Sequence, residues 1–127
     1  MNFLIRPESF CIHRLPPDGQ APLDRLAATS WYSITRTPGE LSVIAPAGID
    51  LGPGEREPGW SCLQVEGPLD FGMVGVIAGI AKTLADAQVS IFAVSTYDTD
   101  YFLVRTADVD KAVGALRAAG HAVLPHP

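Results

Sequence analysis

Charge is scarce in this chain, and positive charge is scarcer still. Only 18 % of the 127 residues are charged, and the nine Lys and Arg are scattered from Arg6 to Arg117. A surface that tracks phosphates needs a dense cluster of such residues, so with a net charge of −5 no nucleic-acid partner is expected. Cysteine is nearly absent. Cys11 and Cys62 sit far apart in apolar, strand-like runs, which fits small buried hydrophobes better than a disulfide or a metal site. Long hydrophobic runs are missing as well. The longest, Met73 to Ala81, is broken by glycines and ends at Lys82, well short of the roughly 20 residues that span a bilayer. Residues 1–7 hold neither a basic n-region nor an apolar segment of signal-peptide length. The expectation is a protein of the reducing cytoplasm with no membrane partner.

Catalytic signatures are also lacking. There is no Gly-x-Ser-x-Gly, Cys-x-x-Cys, His-x-x-x-His or P-loop, and His13, His121 and His126 accompany no nucleophile motif. Gly67 to Gly72 does not carry the glycine spacing of a dinucleotide fingerprint. Neither an enzyme nor a cofactor is expected, and no metal ligand set is assigned. What the chain has in plenty is core material, since 47 % of it is hydrophobic. That balance is the opposite of a disordered segment.

The second half carries the clearer pattern. Trp60 to Glu66 is rich in strand formers and ends at Gly67-Pro68. From Phe71 to Asp86, the apolar residues Met73, Ile77, Ile80 and Leu84 recur at helical spacing, with Asp70 in the N-cap position. Val89 to Thr96 and Tyr101 to Arg105 read as two strands joined by a polar turn, an antiparallel hairpin. Thr106 or Asp108 then caps a helix whose inner face is Val109, Ala112, Val113 and Leu116. Gly120 stands in the C′ position, and His121 to Leu124 forms a last strand. The order β-α-β-β-α-β predicts an α+β, ferredoxin-like fold.

The first half looks like an abbreviated version of that order. Phe10 to Leu15, a short helix at Leu23 to Ala28, and strands at Trp31 to Arg36 and Glu40 to Ala45 give β-α-β-β. Pro46 to Gly59, with three prolines and four glycines in fourteen residues, reads as a linker with at most one helical turn. The expected division is an abbreviated unit with linker over 1–58 and a complete unit over 59–127.

Three segments match a known family: Trp31–Ile44 (WYSITRTPGELSVI), Glu66–Ala78 (EGPLDFGMVGVIA) and Ile91–Val104 (IFAVSTYDTDYFLV). The chain resembles the small bacterial tandem ACT-domain proteins, which are related to aspartate kinase regulatory domains and to the cytosolic arginine sensors. The resemblance implies two ACT-type units, the first abbreviated, packed side by side in a homodimer, with an amino acid bound at the seam between units. It leaves the amino acid and any protein partner unnamed.

The candidate ligand residues follow from the residues and the resemblance together. The segment Gly67, Leu69, Asp70, Phe71 and Gly72 joins a strand to a helix N-terminus, where free amides and the helix dipole suit a carboxylate. The plainer alternative is a Gly-Pro turn with Asp70 as a structural cap. By resemblance, Ser42, Val43 and Ile44 face that loop, and Asp100 meets the ligand's ammonium or guanidinium; an alternating strand and a solvated turn are the alternatives. Gly72, Gly75 and Gly79 would line one helical stripe. Each helical glycine costs about 0.5–1 kcal/mol relative to alanine, so close packing against a partner unit, or ligand access, is expected there. The functional expectation is an amino-acid-binding regulatory homodimer; the alternative is a ligand-free assembly module.

Overall fold

The computed structural model describes residues 1–70 and 72–125. Its contacts divide the chain into two compact units, one comprising Met1–Pro7 with Ser61–Pro127, the other Glu8–Trp60. Among the described residues eight strands and three α-helices follow in order: β1 (Asn2–Ile5), β2 (Phe10–Leu15), α1 (Leu23–Leu26), β3 (Ser33–Thr37), β4 (Glu40–Pro46), β5 (Glu55–Val65), α2 (Val76–Asp86), β6 (Ile91–Ser95), β7 (Asp100–Arg105), α3 (Val109–Ala118) and β8 (Ala122–Pro125).

The larger unit is the ferredoxin-like βαββαβ body that the sequence predicts, formed by β5, α2, β6, β7, α3 and β8. Its strands lie in the order β6-β7-β5-β1-β8. The sequence reading missed β1, which inserts between the first and last strands of that body. It runs antiparallel to β5, with Phe3 opposite Val65, and parallel to β8, with Phe3 opposite Val123. Four residues are too few to show a period, so β1 exists because two strand edges need a partner for their amides. Phe3, Val65 and Val123 then meet in one core with Leu63, Ile80, Leu84, Phe102, Val104, Ala112 and Leu116.

Helix α2 is shorter than its apolar spacing suggests. It begins at Val76, not Phe71, and its inner face is Val76, Ile80 and Leu84 rather than Met73 and Ile77, which are exposed. Gly75 explains the late start: its φ of 79° is left-handed, a conformation that breaks helical continuity and that glycine adopts without steric cost. The anticipated glycine stripe therefore does not form. Gly72 and Gly75 precede the helix, and a Cβ at Gly79 would meet nothing within 4 Å. Helix α3 matches its predicted face, with Ala112 and Leu116 buried and Val109 and Val113 packed beside them. Gly120 ends it at φ 93°, and the amide of His121 returns to the carbonyl of Leu116 at 3.0 Å.

The smaller unit has the strand order β3-β4-β2-β5, where β5 contributes Glu55–Trp60. Leu15, Leu26, Leu41, Val43 and Ala45 form its core. Six of the fourteen residues of the expected linker, Pro46 and Glu55 to Gly59, are thus strand. Glu55 to Glu57 pair with β2, Arg56 lying opposite His13, and Pro58 and Gly59 fall where the register shifts between Phe10 and Ile12.

Gly79→Ala is expected to stabilise the protein by about 0.5–1 kcal/mol, since the site is helical, exposed and open. Denaturant unfolding of the two proteins measures it; a loss of stability would restore the close-packing role.

Candidate functional site

The segment between β5 and α2 and the turn between β6 and β7 meet in the larger unit, and two hydrogen bonds fix their meeting. The Thr99 hydroxyl donates to the carbonyl of Val65 at 2.7 Å, and the Leu69 amide donates to the carbonyl of Asp98 at 2.7 Å. Thr99 is 4 % exposed, so its hydroxyl has exchanged water for that one carbonyl. The turn closes on itself through the Thr96 amide and hydroxyl, which both reach the carbonyl of Thr99. Gly67 is required by this contact. A Cβ there would come within 3.0 Å of the Thr99 Cβ and 3.1 Å of the Asp98 oxygen.

The two segments enclose a cavity of about 410 Å³, lined by Leu69, Asp70, Met73, Gly75, Val76, Ile77 and Ala78 on one side and by Ser95 to Asp100 on the other. One end of it is the start of α2. The first helical bond runs from the Gly79 amide to the Gly75 carbonyl, and Gly75 offers no side chain to cap the amides of Val76, Ile77 and Ala78. Those amides and the helix dipole favour an anion. The rest of the lining carries three carboxylates, Asp70, Asp98 and Asp100, and no Lys or Arg. Asp100 is half-buried and its Oδ1 accepts the Ser95 hydroxyl at 2.7 Å, which holds it in one orientation. A partly desolvated carboxylate facing a helix N-terminus across one cavity suits a ligand with both a negative and a positive group.

Of the residues singled out in the sequence, Leu69, Asp70 and Asp100 line this cavity. Gly67 and Gly72 shape its loop without lining it. Asp70 is no helix cap: its Oδ1 accepts the Gly72 amide at 2.8 Å in a local turn that precedes the helix start at Val76. Phe71 lies outside the described residues, as does His126. Ser42, Val43 and Ile44 lie on β4 in the other unit, and none of them lines the cavity. Val43 and Ile44 are buried, and β4 is hydrogen-bonded along both edges, to β2 and to β3. Neither has a group left for a ligand; Ser42 keeps a half-buried hydroxyl. Sequence reading missed Thr99 and Ser95, and it placed Gly75 within the helix rather than at its start. Thr99 sat between two acidic residues that drew the attention, and only the fold reveals that its hydroxyl points inward.

The remaining chemistry-bearing groups are elsewhere. Both cysteines are free and buried. Burial pushes the Cys11 thiol up and holds His13 below the ordinary histidine range, with Arg56 adding to the latter effect. His121 accepts the N-terminal amine at 2.8 Å. Among the described residues no group of three or more His, Cys, Asp or Glu is placed to hold a metal ion, and no helix is long and apolar enough to cross a membrane.

Thr99→Val keeps the shape of the side chain and removes the hydroxyl, and with it the buried hydrogen bond to the Val65 carbonyl. It is expected to cost about 1–3 kcal/mol in denaturant unfolding. A neutral result would mean that the hydroxyl does not hold the turn.

Comparison with known proteins agrees with this fold. The ACT-domain family model matches residues 55–118. The bovine (Bos taurus) cytosolic arginine sensor for mTORC1 subunit 1 is 30 % identical over 105 residues; the match takes in 74 % of this chain and 32 % of the sensor. The chain therefore spans about a third of that relative's length. The crystal structure of an Agobacterium tumefaciens protein superimposes with a TM-score of 0.89 at 33 % identity, covering 99 % of this chain and 94 % of that one. Clostridium acetobutylicum aspartate kinase shares the fold, with a TM-score of 0.68 at 15 % identity over 88 % of this chain and 32 % of the kinase. With half of its length matched by the family model and these folds around it, the chain belongs to the ACT-domain family.

Proposed function

We propose that this protein is a regulatory, non-catalytic ACT module of the cytoplasm that binds an amino acid and acts as a homodimer. The observation that carries the reading is the cavity at the start of α2, with uncapped amides at one end and three carboxylates elsewhere in its lining. In the proposed complex the ligand carboxylate sits on the amides of Val76 to Ala78. Its ammonium or cationic side chain pairs with Asp100, and Asp70 and Asp98 add negative potential. Sequence reading put the carboxylate on the Gly67 to Gly72 loop; the proposal moves it to where the helix in fact starts, and that loop supports the Asp98–Leu69 contact instead. Leu69, Met73 and Ile77 supply the apolar wall. Ser42 is the one β4 residue retained, as a contributor from a second copy.

The lining limits the ligand. Three carboxylates without a basic residue disfavour aspartate and glutamate and favour arginine and lysine. The arginine-sensing name of the bovine relative supports the same order of testing. A dimer is supported by β6, an edge strand that pairs only with β7 among the described residues. Its sequence, Ile91 to Ser95, has no charge, and Ala93 is exposed. An uncharged, exposed edge is a template for pairing with another strand. Any partner protein that reads the ligand state would do so through a coupling between that surface and the cavity.

The test is calorimetric and thermal titration of the purified protein with the twenty amino acids, at fixed protein concentration. One or a few are expected to stabilise it, by about 2.7 kcal/mol at a hundredfold excess over Kd. Asp100→Asn is expected to weaken that ligand about tenfold or more, through loss of a charge-assisted hydrogen bond. A flat panel with protein that scattering shows to be a folded dimer would favour the ligand-free assembly module.

A further inference from the structure

The smaller unit contains a second cavity, of about 280 Å³, that the amino-acid site does not use. It is lined by Cys11 and His13 of β2, by Arg56 and Pro58 of β5, and by the loop from Ala47 to Asp50 that follows β4. The ladder explains the grouping. Cys11 and His13 are two apart on one strand and so share a face, and Arg56 stands directly opposite His13 on the neighbouring strand. The loop is held in place by its own bonds: the Asp50 carboxylate accepts the Gly52 amide at 2.9 Å, and the Asp50 carbonyl accepts Arg25 at 2.7 Å.

His13 is what makes this more than a dent in the surface. It is 5 % exposed, and its Nε2 is buried without a hydrogen-bond partner among the described residues. The ring borders the cavity while its Nε2 is closed to water; leaving that atom unpaired costs about 1–3 kcal/mol, so a group that enters the cavity and meets the Nε2 as the ring turns toward it recovers that cost. The chemistry of the lining selects the group. Arg56 brings a permanent positive charge, the Cys11 thiol stays neutral because burial raises its pKa, and the one acidic lining residue, Asp50, already spends an oxygen on the loop. Among the described residues a metal ion finds no cluster of three ligands. The volume is below the range typical of drug-sized ligands, which points to a small molecule.

We propose that this cavity is a binding site for a small carboxylate, whose charge is met by Arg56 and whose oxygen takes a hydrogen bond from the His13 imidazole. Binding is linked to protons. In the free protein, burial and then Arg56 hold His13 below its usual pKa of 6.5, so the ring is neutral at pH 7. The groups that face it are Arg56 from β5, Cys11 from its own strand and Asp50 from the loop, while β4 presents only Val43. A bound carboxylate favours the charged ring and raises its pKa, so affinity rises as pH falls.

Succinate is the probe. Imidazole resonances of the full chain are followed during titration at constant ionic strength, at pH 7.5 and pH 6, with His13 assigned by its loss in His13→Gln. A saturable shift of the His13 signals is expected while those of His121 stay still, with tighter binding at pH 6. Arg56→Gln, at an exposed position that tolerates the change, is expected to weaken binding severalfold. Absence of a saturable His13 shift, or equal affinity in Arg56→Gln, overturns the proposal. Either result is independent of the amino-acid site, which contains no histidine.

Discussion

The buried hydroxyl of Thr99 ties the end of β5 to the turn of the β6–β7 hairpin, and the geometry of the candidate site depends on that tie. Strands β5 and β7 are neighbours in the sheet, but the loop that leaves β5 and the turn that enters β7 are both irregular. Left to solvent, they would move independently. Thr99 donating to Val65, and Leu69 donating to Asp98, join them at two points, so the carboxylate of Asp100 and the amides of α2 keep a fixed relation. Gly67 follows from the same contact, since a side chain there would force the turn away.

Electrostatics then gives the cavity its two-ended character. The protein is acidic, and three of its fourteen Asp and Glu line the cavity into which the positive end of a helix dipole opens. Asp70, Asp98 and Asp100 share a lining with the uncapped start of α2, a combination that a single ion satisfies poorly and a zwitterion satisfies well. Gly75 has a double effect here. Its left-handed backbone starts the helix late, and its missing side chain leaves the first amides uncapped. Around the opening the surface is apolar, with Val74 95 % and Tyr97 80 % exposed. The second cavity has the reverse character, a cationic arginine beside a buried neutral histidine.

The fold of the larger unit was legible wherever a period was long enough to count. The hairpin of β6 and β7, the inner face of α3 and the stop at Gly120 all follow from spacing and turn chemistry. Three features were not legible, each for a physical reason. Strand β1 is four residues long and is defined by the two edges it joins, which lie far away in sequence. The first part of β5 holds Pro58 and Gly59, residues that signal a loop but here fall where the pairing with β2 shifts register. The start of α2 was placed at Asp70 because capping chemistry and apolar spacing agreed there, but Asp70 bonds Gly72 in a local turn and Gly75 sets the true boundary. At the site, Leu69, Asp70 and Asp100 could be named from the family likeness. The roles of Thr99 and His13 could not, because burial decides them and the sequence does not show which polar side chains the fold turns inward.

The central claim is that an amino acid binds between the start of α2 and the β6–β7 turn. Backbone amide shifts of the isotopically labelled protein, recorded with and without a saturating amino acid from the panel, test it most directly. The account predicts changes concentrated at Leu69, at Gly75 to Ala78 and at Ser95 to Asp100, the two walls of the cavity. A ligand that binds and shifts a different set of amides, leaving those two walls unchanged, would contradict it.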